Sequence, residues 1–364
     1  MIWSATSRAA IGVAAILACA AVLAIVLPGV ASAQNPAPES KPRPKPHHPV
    51  AKPAPEPKTS APAPSTPEPD NAPAPPAAAN GIEPDLAFGA YQRGYFLTAF
   101  ALATRRVEAK GDMKSMTLLG ELYANGFGVP QDDAKAAGWY KLAADRGDAN
   151  AMFALGMMRL SGRAGPRDRE ASAKWLAAAA KLGHPIAAYD LALLYLEGQL
   201  FPQDFGRAGE LLRIAAQAGS PDAQYALGTL YKEGRGVPKD MHEAARLWGL
   251  ASLAENTDAE VEYAIALYNG DGVDKNEQAA AALFRKAALK GSAIAQDRLA
   301  RILAAGRGVP ANPVEATKWH LISKARGETD LQLDDFVNNL DAEKRADGEK
   351  AAKVWLDALK KGPA

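Results

Sequence analysis

The stretch Gly126-Phe127-Gly128-Val129-Pro130-Gln131-Asp132 decides the fold, because it returns at a fixed interval. It recurs as Gly162-Arg163-Ala164-Gly165-Pro166-Arg167-Asp168, as Gly198-Gln199-Leu200-Phe201-Pro202-Gln203-Asp204 and as Gly234-Arg235-Gly236-Val237-Pro238-Lys239-Asp240. Two more copies begin at Gly270 and Gly306, so the opening glycines stand 36 residues apart throughout. A strict period of this length is the mark of a repeat architecture. The opening glycine suits the left-handed position that ends a helix. The proline stops continuation, and the Asp or Asn after it is an N-cap for the next helix. Asn312-Pro313-Val314-Glu315 is the fullest start, with cap, proline at the first helical position and glutamate at the third.

Working outward, a second glycine column runs Gly111, Gly147, Gly183, Gly219, Asn256, Gly291 and Gly327. Eight residues before it stand Trp139, Trp175, Leu211, Trp248, Leu283 and Trp319. Small pairs follow (Ala143-Ala144, Ala179-Ala180, Ala215-Ala216, Ala287-Ala288), and a small residue recurs at Ser115, Ala151, Ala187, Ala223 and Ala295. Large residues facing small ones allow two helices to approach closely. Each unit is then a helical hairpin that cannot bury its own apolar face. The predicted fold is all-α: a right-handed α-solenoid of stacked helical hairpins with 36-residue repeats and a C-terminal capping helix. Leu86 to Ala109, without the tryptophan, reads as an N-terminal cap, and Asp330 to Leu359 as helix closing the far end.

The pattern W-Y-x-x-A-A-x-x-G-x-x-x-A-x-x-x-L-G-x-x-Y-x-x-G-x-G-V-x-x-D resembles the Sel1-like repeat, a relative of the tetratricopeptide repeat. Trp139-Tyr140, Ala143-Ala144, Gly147, Ala151 and Leu155-Gly156 carry the resemblance, as do Leu227-Gly228, Tyr231, Gly234, Gly236, Val237 and Asp240 in a later copy. It covers roughly residues 85–328. Arg159 and Leu303 replace the tyrosine, Leu200-Phe201 replaces Gly-Val, and Asn256 and Glu260 disturb the fifth unit, which puts single loop shapes in doubt and leaves the fold intact. The resemblance implies a non-enzymatic scaffold akin to exported bacterial regulators and adaptors.

The chain has 364 residues, and its organisation is expected to be 1–33 signal peptide or membrane anchor, 34–80 disordered proline-rich linker, 81–328 solenoid and 329–364 capping helices. Arg8 precedes nineteen apolar positions, Ala9 to Leu27, followed by Pro28-Gly29 and an A-x-A pattern at Ala31-Ser32-Ala33. Cleavage after Ala33 with export to the periplasm or envelope is the expected outcome. An inner-membrane anchor over residues 9–27 is the competing reading, since that length just spans a bilayer. A lipoprotein box ending at Cys19 ranks last because the apolar run continues past it. Sixteen of the 27 prolines lie between Gln34 and Asn80, where neither helix nor sheet propagates and extended polyproline II is expected. His47 and His48 in that tether are expected to be solvated.

Residues 81–364 carry 36 basic and 37 acidic side chains, a net of −1, which argues against nucleic acid as partner. The one cysteine lies within the export signal, which excludes a disulfide framework or a cysteine-ligated metal. His242-Glu243 opens like a zinc-protease motif, but Arg246 holds the second ligand position. No G-x-S-x-G elbow occurs. His184, before Pro185, is expected to be solvated in a turn. No catalytic residue, metal or cofactor is expected. The first helices of the hairpins are expected to line a concave face. There, six residues before the glycine column, stand Lys141, Ala177, Arg213, Leu250, Arg285 and Leu321. Lys141, Arg213 and Arg285 are the candidate contacts for another protein or an extended peptide or glycan, the membrane being reached only through an uncleaved N-terminal segment. The competing class is an envelope enzyme or enzyme accessory acting on peptidoglycan or polysaccharide.

Overall fold

The structure, a computed structural model, describes residues 85–163 and 165–360. The export signal and the proline-rich linker expected from the sequence lie outside these residues. Within them the chain forms helices and no strand. In chain order these are α1 (Leu86–Gln92), α2 (Phe96–Lys110), α3 (Met113–Asn125), α4 (Asp133–Ala144), α5 (Ala149–Ser161), α6 (Arg169–Lys181), α7 (Pro185–Glu197) and α8 (Phe205–Gln217). They continue as α9 (Pro221–Glu233), α10 (Met241–Leu253), α11 (Thr257–Asn269), α12 (Glu277–Leu289), α13 (Ala293–Ala305), α14 (Pro313–Lys324), α15 (Leu331–Asn338) and α16 (Ala342–Lys360). From α1 to α15 each helix packs on the next one in sequence, giving the α-solenoid of hairpins, and α16 folds back onto α14.

Local chemistry sets the boundaries. The even helices α4 to α14 start at Asp132, Asp168, Asp204, Asp240, Asn276 and Asn312, whose side chains accept backbone N–H groups of the first turn. The odd helices α3 to α13 start at Asp112, Asp148, His184, Ser220, Asn256 and Ser292 in the same manner. Each odd helix from α3 to α13 ends on a left-handed glycine, with φ between 68° and 84° from Gly126 to Gly306. His184 is therefore a cap and not a solvated turn residue.

The fifth unit corrects the columns read from the sequence. The left-handed residue after α10 is Glu255 (φ 63°), and Asn256 is the next helix cap. Counted from Glu255, Trp248 falls into line with Tyr140, Leu176, Leu212, Phe284 and His320, all of them buried. Leu247 takes the place aligned with Trp139 and Trp175, and Gly249, not Leu250, aligns with Lys141. The realigned column is the one that locks each hairpin. A Cβ on Gly228 would meet the Trp248 ring at 2.6 Å, one on Gly120 the Tyr140 ring at 2.6 Å, and one on Gly156 the Leu176 side chain at 3.1 Å. The Leu-Gly glycines thus exist to let a bulky side chain rest on helix backbone. Consecutive hairpins then share a core: Leu196, Leu212, Leu230 and Trp248, from four successive helices, lie in one buried cluster. Full burial of such side chains contributes roughly 1.5–3 kcal/mol each.

The far end is closed by two helices rather than one continuous helix, separated at residues 339–341. On α16, Gly348 lies so close to α14 that a Cβ there would be 2.5 Å from Thr317 Cβ. The Trp355 ring meets Trp319 edge-on at 5.2 Å. Among the described residues no helix is long and apolar enough to cross a membrane.

Candidate functional site

The candidate site lies mainly on the odd helices. A groove of about 750 Å³ runs across α1, α3, α5 and the start of α7. Its apolar lining comes from Phe88, Leu118, Phe153, Ala154, Met157 and Ile186, and Phe88 and Ile186 stay largely exposed. A smaller cavity of about 230 Å³ continues from Ile186 over Tyr189 to Asp222 at the start of α9. Helical periodicity explains the placement, since residues four apart, such as Phe153 and Met157, share one face of α5.

Charged groups in the groove are mostly engaged. Arg106 pairs with Asp85 at 2.8 Å and Arg163 with Asp133 at 2.6 Å. Tyr91 donates its hydroxyl to Glu121 at 3.2 Å. Burial first, then the Glu121 charge and hydrogen bond, push the Tyr91 hydroxyl pKa up to about 12. Burial likewise raises the Tyr140 hydroxyl. The groove walls therefore combine neutral tyrosines, paired ions and apolar side chains with the ammonium group of Lys114.

His184 forms part of the wall. Its Nδ1 accepts the Ala187 N–H at 3.1 Å, and its ring stacks on Phe153 with centroids 4.7 Å apart. Burial lowers its pKa below the ordinary 6.5, against the opposing pull of Asp148. The neutral ring is the one that caps the helix. The unfolded chain then takes up a proton at higher pH than the folded one. Stability from this group is complete above about pH 6.5 and is lost as pH falls toward the folded pKa. A His184→Asn variant retains a cap of the kind found at Asn256. Its urea midpoint is expected to fall less than that of the parent between about pH 7.5 and pH 5.5. Equal losses in both proteins would refute this role.

The structure does not bring the sequence-derived candidates to this groove. Lys141 lies on α4, Arg213 on α8 and Arg285 on α12, all exposed on the even helices, and none lines either cavity. Lys141 donates to Asp145 on its own helix at 2.7 Å. The groove residues that sequence reasoning passed over are Phe153, Met157 and Ile186. Their signal was present: large apolar groups occupy columns that hold Thr117, Glu121 and Lys114 one or two repeats earlier. Glu243, in the metalloprotease-like fragment, is bound by Arg246 at 2.6 and 2.8 Å. That guanidinium holds the carboxyl below the usual carboxylate range. Among the described residues no group of three His, Cys, Asp or Glu side chains is arranged to hold a metal ion.

The Sel1 repeat model matches six consecutive segments, 114–148, 149–184, 185–220, 221–256, 257–292 and 293–328, more than half of the chain. The chain belongs to the Sel1 repeat family. Each Sel1 segment contains one odd helix and the even helix after it, so the groove is built from the first helices of successive Sel1 repeats. No curated protein matches the chain. A protective antigen of uropathogenic Escherichia coli displaying an SLR fold is similar in structure (TM-score 0.57, 23% identity), covering 77% of this chain and 64% of its own. This chain thus spans less than two thirds of that protein. A Sel1 repeat protein of Oxalobacter formigenes is similar with a TM-score of 0.53 and 24% identity, covering 67% of this chain and 97% of its own. Both likenesses concern the fold.

Proposed function

We propose that this Sel1 repeat protein is an exported scaffold that holds a protein partner in the groove on α3, α5 and α7. Sel1 repeats are generally protein-interaction scaffolds. The observation that carries the reading is the groove itself, with half-buried and exposed apolar side chains (Phe88, Phe153, Met157, Ile186) beside ions that are already paired. Apolar anchors in a concave surface are the usual source of binding energy at an interface. Export rests on the nineteen-residue apolar run and Ala31-Ser32-Ala33. The mature N-terminus is expected at Gln34, with the protein in the periplasmic fraction, and another N-terminus would refute the cleavage site. The basic column Lys141, Arg213 and Arg285 is a second proposed contact on the even helices.

A photo-crosslinking side chain at Met157 or Ile186, in protein expressed in its native cell, is expected to trap one discrete partner. The same group at Arg213 tests the basic column. Trapping only at Arg213 would overturn the groove reading. Substitution of Met157 and Ile186 by Gln is expected to weaken capture at least about ten-fold, the cost of losing interface hot spots. Unchanged capture by a normally folded Met157→Gln/Ile186→Gln variant would have the same overturning effect. Reversal of Lys141, Arg213 and Arg285 to glutamate, with capture unchanged, would remove the basic column from consideration.

A further inference from the structure

The concave surface changes character along its length. On α5 and α7 it is apolar, with Phe153, Met157 and Ile186. Beyond Ile186 it becomes acidic. Asp222 lines the second cavity at the start of α9, Asp258 occupies the same column one repeat on, and Glu262 lies one turn along α11. Desolvation first, then the charges of Asp222 and Glu262, raise the Asp258 carboxyl above its usual range. Compensation is incomplete. Lys232 pairs with Glu262 at 2.8 Å, and Asn256 donates to Asp222 at 2.9 Å. Among the described residues no basic side chain pairs with Asp222 or Asp258.

Helix-terminal electrostatics do not account for this arrangement. An acid in the first turn of a helix is favourable. Yet the same column holds Lys114, Asn150, Ile186 and Ile294 in the other repeats, so the stack forms without one. Glu262 lies beyond the first turn. Asp222 shares the second cavity with Ile186, and Asp258 lies close enough to Asp222 to feel its charge.

We propose that the groove receives an extended, cationic peptide segment of the partner, with an apolar side chain seated on α5 and α7 and lysine or arginine over Asp222 and Asp258. This rests on the groove reading above and specifies the partner's chemistry. Packed helices lie about 8–10 Å apart, so Asp222 and Asp258 fall roughly 10 and 20 Å beyond the Ile186 anchor. An extended chain advances about 3.3 Å per residue, which sets the cations about three and six positions after the apolar anchor. Opposite charge supplies orientation and selectivity, and apolar burial supplies most of the affinity.

The test uses the folded chain and three fluorescent, end-capped peptides. The first is Ser-Leu-Phe-Ser-Ser-Lys-Ser-Gly-Lys-Ser, and its twins carry Glu or Gln in place of both lysines. The lysine peptide is expected to bind at least about ten-fold more tightly than the glutamate twin at low salt, with the gap closing toward 1 M salt. An Asp222→Asn/Asp258→Asn variant is expected to erase that gap and to leave the glutamine twin's affinity unchanged. Equal affinities, tighter binding of the glutamate twin (an acidic partner), or no binding of the lysine peptide would each overturn the proposal. The Met157→Gln/Ile186→Gln variant separates this from the groove reading. If it weakens the glutamine twin while the charges make no difference, the cationic inference falls and the groove stands. If it leaves all three peptides unaffected, the groove reading falls with it.

Discussion

A Lys286→Met/Lys290→Met variant is expected to lose a large part of its stability, because it strands Glu260. That carboxylate is wholly inaccessible to solvent and sits on α11, with the ammonium groups of Lys286 on α12 and Lys290 at its C-terminal cap each 2.8 Å from Oε1. Removing the partners of a buried ion leaves its desolvation uncompensated, a cost of roughly 3–5 kcal/mol for the stranded group. Neighbouring repeats show why the site needs lysines. In the same column Gln224 donates its amide to the Ala216 carbonyl at 3.1 Å, and Gln296 donates to the Ala288 carbonyl at 3.0 Å. A carboxylate has no hydrogen to give, so Glu260 turns to the lysines instead, and its Oε2 has no hydrogen-bond partner. The compensating variant follows directly. Adding Glu260→Gln to the two methionines replaces the ion by the group the other repeats use, and is expected to recover most of the loss in urea unfolding. If the triple variant is as unstable as the double, burial of an unpaired charge is not the cause.

The repeat and its helix ends were legible because each is written in a residue type with one dominant backbone role. Glycine marks the left-handed exit at Gly126 through Gly306, and Asp or Asn after proline marks the even-helix starts. The fifth unit misled for the same reason. Asn256 is the residue type expected at a left-handed position, whereas the chain puts Glu255 there and uses Asn256 as a cap. That slip carried Trp248 and Leu250 one place out of line. Nor do residue types reveal which helix of each hairpin faces inward. Curvature comes from a small rotation per repeat, a sum over the packing of many alanines, and no single position encodes it. Lys141, Arg213 and Arg285 are conspicuous by charge, yet none of the three lines either cavity. The groove residues are conspicuous only once the columns are compared, since Phe153 or Met157 alone reads as one more core residue.

The second large effect is expected at the loop glycines that join one repeat to the previous one. Gly272 has φ 70°, and a Cβ there would overlap the backbone carbonyl of Met241, the first residue of α10, with His242 N at 2.7 Å. Gly236 meets Phe205 and Gly308 meets Glu277 in the same manner, each loop resting on the start of the preceding even helix. Backbone cannot swing aside as a side chain can. Gly272→Ala therefore combines about 1–2 kcal/mol for left-handed backbone with roughly 1–3 kcal/mol for overpacking. Gly219→Ala supplies the reference, since Gly219 has φ 87° and nothing within 4 Å of a Cβ. It should show the backbone part alone. Glu255 supports that expectation, because a natural side chain already occupies the same column. The loop column has its own natural exception in Leu200. That residue does not adopt positive φ, so at Leu200 the loop takes another path; the sequence also places Ala164 in this column. Because a solenoid is stabilised by nearest-neighbour contacts, the Gly272 lesion should also loosen coupling between the halves of the stack. Urea unfolding of Gly272→Ala is expected to be both earlier and shallower than that of Gly219→Ala, with a reduced m-value. Coincident curves for the two variants would show that the Gly272 contact adds nothing beyond backbone conformation.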